Sequence, residues 1–328
     1  MATIREVAKR AGVSVATVSR VLNKKGYVSQ ETKERVLLAI EDLKYKPNDV
    51  ARSLFKGKSK LIALLVPDIM NPFFPELARS VEDVCSAHGY TFVLCNTDNS
   101  MEKELSYITA LQQKSVDGLI VVSSTLTKEH TEEIKVPIVS LDRTFSANVT
   151  TVKSNNRQGA KLAAEYLKSI GCKRIAHVTG PESASNTRER LKGFMDVVRN
   201  DHWFISDYIV SGNYNMSVAK EAITDLLLKH PEIDGLFVGN DVMAVGALKA
   251  AEQLNIRVPD DLSIIGFDGI TLGETTTPTL TTVAQPIYKM GSRAAELLIE
   301  QINDPSILKK TEELPVKLIV RQSTRKKR

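Results

Sequence analysis

The sequence predicts an N-terminal all-α helix-turn-helix head joined to an α/β body of two doubly wound parallel-sheet lobes. Three observations predict it. The first 45 positions hold three short amphipathic stretches, each opened by a capping residue, with a glycine turn between the first two. From residue 61 onward, continuous apolar strands alternate with helical stretches, the mark of strands buried on both faces. That β-α-β order then repeats, with DGLIVVSS (117–124) and DGLFVGND (234–241) at equivalent places in the two halves.

In the head, Thr3-Ile4-Arg5-Glu6 reads as a capping box. Ile4, Val7 and Ala8 share one helix face, and Gly12 ends that helix in a tight turn. Ser14 caps a second helix with Val18, Val21 and Leu22 pointing inward. Ser29 caps a third, carrying Val36, Ile40 and Leu43 on its apolar side. Small three-helix bundles also serve as protein-binding modules, so charge decides between partners. Residues 1–60 hold 14 Lys/Arg and 6 Asp/Glu, a net charge of +8, although the whole chain carries only +5. A basic head on a mildly acidic body points to a polyanion, and DNA phosphates supply most of the energy of such binding.

The outward face of SVATVSRVLN (14–23) is shaped for a groove. Small Val15 and Ala16 permit close approach and can meet thymine methyls, and Arg20 is the long donor for a guanine edge. Ser19 and Asn23 serve phosphates or bases, and Thr3, Ser14, Thr17 and Tyr27 complete the candidate DNA-contacting set on the helical head.

Pro47 cannot continue the third helix, Asn48 caps a short one over roughly 49–55, and Gly57 stops it. A helix that short is marginal in water. The expected divisions are 1–46 for the head, 47–60 for a hinge and linker, and 61–328 for the body.

TIREVAKRAGVSVATVSRVLN, followed by Tyr45-Lys46-Pro47-Asn48 and Val50-Ala51-Arg52-Ser53-Leu54, resembles the DNA-binding head of the lactose/galactose-repressor (LacI/GalR) family. The resemblance implies a hinge helix that orders on DNA as a pair from two subunits. Leu54 is then the apolar wedge in the minor groove and Ala51 allows the two helices to approach. It also implies a homodimer meeting a pseudo-palindromic operator of matching symmetry.

In the body, strands LIALLVPD, TFVLCNTD and DGLIVVSS precede a second set, RIAHVTG, YIVSG and DGLFVGND, with helices between them. Ligands of such sheets sit beyond the carboxyl ends of the strands. Those ends carry Asn71, Phe73, Phe74, Ser123, Asp142, Arg143, Arg190 (in a helix), Asn240, Phe267, Asp268 and Gln285. Guanidinium, carboxylate and amide groups beside flat aromatic walls suit a small polyhydroxylated ring. A phosphate is less well served, because neither common glycine-rich phosphate loop is present.

Over residues 61–320 the body resembles the type I periplasmic-binding-protein-like fold of the same repressors. That places one lobe at about 61–158 and 289–318 and the other at about 159–288 and 319–328. The motifs NPFF, LDR, RERLKGF, GNDVMAVGA, IIGFDG and VAQP are similar to a ribose-binding pattern, which implies a small sugar effector, D-ribose. Ser123 stands where that pattern has an amide. The alternatives are a different sugar or a purine as effector, or a catabolite-type regulator whose corepressor is a phosphorylated carrier protein. A transport protein of the same fold is disfavoured by the basic head and by a charged start, MATIREVAKR, with no secretory apolar run.

No cofactor, catalytic residue or metal site is expected. There is no G-x-S-x-G elbow and no H-E-x-x-H, and His88, His130, His177, His202 and His230 are dispersed. His177 lies in a strand and reads as a core histidine. Cys85, Cys95 and Cys172 fit no metal-ligand spacing and read as free thiols in a reducing cytoplasm, so a cytoplasmic, nucleoid-associated protein is expected. No stretch approaches a membrane span. No heptad-leucine tail follows residue 320, so a coiled-coil tetramer is not expected.

Overall fold

Residues 2–23, 26–45 and 59–326 are described by the computed structural model. The chain divides into two units, Met1–Ser59 and Lys60–Arg328. The hinge residues Ala51 and Leu54 lie outside the described residues.

In the first unit, Thr3 Oγ1 accepts from the Glu6 amide while the Glu6 carboxylate accepts from the Thr3 amide, which starts α1 (Ile4–Ala11). Ser14 Oγ accepts from the Thr17 amide to start α2 (Val15–Asn23). Ser29 does the same for Thr32 at the start of α3 (Gln30–Asp42). Val7, Val18 and Val36 are fully buried, one from each helix, with Ala8, Ala11 and Ala39 between them. Ile4, Val21, Leu22, Ile40 and Leu43 close the rim of this small core.

The strands of the second unit form two six-stranded sheets. The first has the spatial order β11 (Thr311–Leu314), β5 (Thr150–Ser154), β4 (Ile138–Leu141), β3 (Gly118–Val121), β1 (Leu61–Val66), β2 (Thr91–Asn96), all parallel. The second has the order β12 (Lys317–Ile319), β10 (Thr281–Ala284), β9 (Ser263–Asp268), β8 (Gly235–Val238), β6 (Ile175–Thr179), β7 (Ile209–Ser211). Only β12 is antiparallel to its neighbour. Both are doubly wound, with a strand-order reversal beside β1 and β6.

Alternation along β1 distributes its side chains to two layers. Ile62, Leu64 and Val66 pack under α4 (Phe73–Ala87) and α11 (Ile287–Asn303), while Ala63 and Leu65 meet Ile108 and Leu111 of α5 (Met101–Gln113). A short α6 (Lys128–Glu132) follows β3. In the second lobe, α7 (Asn156–Ser169) and α8 (Ser185–Val198) cover one face, and α9 (Met216–Lys229) and α10 (Asp241–Gln253) cover the other.

The chain crosses between the lobes three times, at 154–156, 284–287 and 314–317. The lobe limits read from the sequence, about 158/159, 288/289 and 318/319, fall a few residues from these crossings: α7 begins at Asn156, α11 at Ile287, and Lys317 and Leu318 pair in the second sheet. The connectors are one or two residues long, so no change of composition marks them.

His177 is a core residue: its ring stacks on Phe237 at 4.6 Å and its Nδ1 lies 2.9 Å from the Phe237 carbonyl oxygen. Burial pushes its pKa down to about 4, so the ring is neutral and Nδ1–H donates. Trp203 stacks on Tyr208 and meets Phe204 edge-on, closing both apolar layers of the second lobe. Cys85, Cys95 and Cys172 are free and buried, and burial raises all three thiols, to about 11 at Cys85 and Cys172. Among the described residues no helix is long and apolar enough to cross a membrane, and no group of three or more metal-ligating side chains is assembled.

The tightest helix contact in the second lobe is at Gly193, where a Cβ would sit 2.0 Å from the Arg157 carbonyl oxygen and 3.0 Å from Ala160 Cβ. Backbone cannot swing aside as a flexible side chain can. Gly193→Ala is therefore expected to cost about 2–3 kcal/mol of stability and to lower the melting temperature by roughly 4–10 °C. Calorimetry checks this, and an unchanged transition would mean that α7 and α8 separate freely.

Candidate functional site

The carboxyl ends of both sheets face one cleft within the second unit, lined by Asn71, Phe73, Phe74, Asp142, Arg143, Asn186, Arg190, Tyr214, Asn240, Asp268 and Gln285. The cleft is narrow, with a cavity volume of about 20 Å³.

Each wall is positioned by local structure. Asn71 Oδ1 accepts from the Phe73 amide at 3.1 Å, a turn that leads into α4 and brings both phenyl rings to the cleft. The rings meet edge-to-face, 5.2 Å apart. Asn240 caps α10 through Oδ1, which accepts from the Met243 amide at 2.8 Å, so its Nδ2 is the part available to a ligand.

The charged groups are almost fully enclosed and arranged in two pairs. Asp142 lies 3.7 Å from Arg143, and Arg190 lies 3.6 Å from Asp268. Arg190 is held on every side. Its Nε donates to Asn156 Oδ1 at 2.8 Å, its Nη1 donates to the Gly239 carbonyl, and its guanidinium lies 3.8 Å over the Phe267 ring. Gln285 Nε2 donates to Asp268 Oδ1 at 2.8 Å. Across the lobes, Asn186 Nδ2 donates to Asp142 Oδ2 at 2.8 Å; within the second lobe, Tyr214 OH donates to Asn186 Oδ1 at 3.1 Å.

Burial raises the Asp142 carboxyl even though Arg143 and Arg190 pull it down. Burial also raises Asp268 well above the usual range, against Arg190 and with help from Asp241 and Asp142. Two guanidinium groups against two carboxylates leave the lining without a net charge to offer an anion. Asp142 Oδ1, Gln285 Oε1 and Arg143 Nε have no hydrogen-bond partner among the described residues. Two buried acceptors and a donor lining the cleft suit a neutral ligand that both donates and accepts, as hydroxyl groups do.

Two residues read as cleft candidates stand elsewhere. Ser123 turns away: its Oγ donates to the buried Glu104 carboxylate at 2.8 Å and accepts from the amides of Thr125 and Leu126. The neighbouring Ser124 Oγ instead receives Arg143 Nη1. Phe267 is fully buried beneath Arg190 and supports that side chain from behind. Asn186 and Tyr214 were missed. Asn186 lies one helical turn before Arg190 and so shares its face, a signal the sequence does carry.

On the head, Val15, Ala16 and Arg20 are exposed on α2 and Tyr27 is 92% exposed. A concave surface beside them is formed by Ser14, Thr17, Arg20, Tyr27, Val28 and Thr32, among others. The Ser14 and Thr17 hydroxyls lie 2.9 Å apart, Thr3 is held in its capping box, and Asn23 Nδ2 donates to the Ser19 carbonyl at 2.9 Å. Among the described residues of this face, Arg20 is a long, exposed donor with no hydrogen bond into its own helix.

A basic three-helix unit followed by a two-lobed body with a polar cleft defines a DNA-binding regulator carrying its own small-molecule sensor. Residues 3–48 match the bacterial regulatory proteins of the lacI family, and residues 164–324 match the periplasmic binding protein-like domain. The chain belongs to the LacI family. It is 51% identical to the ribose operon repressor of Halalkalibacterium halodurans, covering 99% of this chain and 98% of that one. A LacI family transcriptional regulator from Enterococcus faecium with bound ribose is 31% identical, TM-score 0.73, covering 80% of this chain and 98% of that one. A lac repressor dimer bound to operator and an anti-inducer is 26% identical, TM-score 0.87, covering 98% and 99%.

Proposed function

We propose that this protein is the repressor of a ribose utilisation operon, binding its operator as a homodimer and releasing it when D-ribose occupies the cleft. The observation that carries the ribose assignment is the cleft itself: two Asp/Arg pairs, four amide side chains and two phenyl walls, with buried donor and acceptor atoms that have no hydrogen-bond partner among the described residues. Full-length similarity to a ribose operon repressor and to a ribose-bound regulator supports the same ligand. Operator binding by the homodimer is supported by likeness to the operator-bound lac repressor dimer.

In this reading Arg143, Arg190, Asn240 and Gln285 bond to the sugar hydroxyls, Asp142 and Asp268 accept from them, and Phe73 and Phe74 pack on its CH groups. Arg20, with Val15 and Ala16, reads base edges, while Thr3, Ser14, Thr17, Ser19, Asn23 and Tyr27 serve the phosphates and the groove wall. Ala51 and Leu54 act in the minor groove. Asn186 bridges to Asp142 across the two lobes, so closing the cleft is felt in both. A ligand that favours the closed arrangement changes operator affinity through that difference alone, typically by about 1–3 kcal/mol. A phosphorylated carrier protein as corepressor is less well supported, because the cleft is lined by hydrogen-bonding side chains and phenyl rings of the kind a sugar needs.

Footprinting of the promoter beside the gene, with and without D-ribose, tests the reading, together with a thermal-shift panel of ribose, other sugars and purines. Ribose alone is expected to raise the melting temperature and lift the footprint. A shift with purines only, or with no sugar, would overturn the ligand assignment.

A further inference from the structure

We infer that Asp241 is a positioning residue for the sugar cleft, holding Asp268 in the backbone geometry that presents its carboxylate to the ligand. This rests on the sugar-binding reading above. Asp241 follows cleft residue Asn240 directly, yet it is fully buried and does not line the cleft. Its carboxylate is committed to three donors from two other segments. Oδ2 accepts from the Gly269 amide at 2.8 Å and the Ile270 amide at 2.9 Å, and Oδ1 accepts from Thr282 Oγ1 at 2.6 Å.

The segment it grips is unusual. Asp268 has φ 117° and Gly269 has φ 79°, a pair of left-handed conformations of which the first is one that residues with a Cβ rarely adopt. Such a conformation persists only where its surroundings over-determine it. Two supports are present. The Gln285 amide donates to the Asp268 carbonyl at 2.9 Å, and Asp241 clasps the next two amides of the chain. The resulting turn sets the Asp268 carboxylate against Arg190 and Gln285.

The electrostatics alone oppose this arrangement. A third buried carboxylate stands close enough to Asp268 to oppose its ionisation, as Asp142 also does, and Arg190 pulls the other way. Burial pushes Asp241 itself up to about 7, against its three hydrogen bonds and Arg321. What Asp241 supplies is therefore shape rather than charge. Space agrees, because a Cβ at Gly266 would lie 2.2 Å from Asp241 Oδ1, so the carboxylate packs on bare β9 backbone with no room for one more methylene.

This reasoning ranks three substitutions. In Asp241→Asn the amide oxygen can accept from both backbone amides while the NH2 donates to Thr282 Oγ1. Asp241→Glu keeps the charge but not the fit, and Asp241→Ala removes the clasp. In full-length protein titrated calorimetrically with D-ribose, Asn is expected within about 3-fold of wild type, whereas Ala and Glu weaken binding by about 10–100-fold. Operator affinity without ribose stays within about 3-fold in all three, read by mobility shift, since the head is untouched. Unchanged ribose affinity in Asp241→Ala, or Asn as weak as Ala, would overturn the assignment. If the Ala variant does not fold, equal affinities for Asn and Glu overturn it instead. Wild-type protein that binds operator but not ribose would overturn the ribose reading and the inference with it.

Discussion

Replacing Arg190 with alanine is expected to raise the ribose dissociation constant by at least about 30-fold, leaving operator binding in the absence of sugar nearly unchanged. Removing one member of a buried, hydrogen-bonded charge pair costs about 2–5 kcal/mol in binding, largely because the other charge stays behind unpaired, and tenfold in affinity is about 1.4 kcal/mol. Arg190 is the partner of Asp268 and also bonds Asn156 and the Gly239 carbonyl from one planar group. Lysine cannot reproduce that fork or its packing on Phe267, so Arg190→Lys is expected to rescue little. Calorimetric titration with D-ribose, run beside an operator mobility shift, reads both properties. Near-normal ribose affinity in Arg190→Ala would remove the cleft from consideration as the effector site.

The second large effect is expected in the head. Arg20→Ala should weaken specific operator binding and relax preference at one base pair in each half-site. A bidentate arginine–guanine contact is worth about 1–3 kcal/mol of discrimination. Two copies in the proposed homodimer bring this to about 2–6 kcal/mol, at least about 25-fold. Non-specific DNA binding should fall far less, because phosphate contacts elsewhere in the basic head remain. Binding to an operator library, compared with binding to random DNA, separates the two. A uniform loss over all sequences would reassign Arg20 to the phosphates.

The features legible in the sequence were those governed by local rules. Thr3, Ser14 and Ser29 announce helix starts because the cap lies within three residues of the amides it satisfies. Asn71, Asp142, Arg143, Asn240, Asp268 and Gln285 were found because parallel sheets gather their carboxyl ends at one place, whatever the loops contain. What escaped depends on side-chain direction and on distant partners. Ser123 and Ser124 are neighbours with opposite fates, decided by Glu104 nineteen residues earlier. Phe267 and Asp268 are consecutive on β9, and strand alternation already argues that both cannot face the same space. Tyr214 follows β7, a strand of only three residues, too short for periodicity to place its end.

The three crossings between lobes bear on how the protein is made. The first sheet gains its first five strands by residue 154, but α11, which covers one of its faces, is complete only at Asn303, and β11 only at Leu314. At translation rates of about 5–20 residues per second, the nascent chain waits roughly 7–30 s with that apolar face covered by α4 alone. The head has no such wait, since all three of its helices are synthesised by Asp42. The head can therefore fold well before the body that carries the cleft is complete.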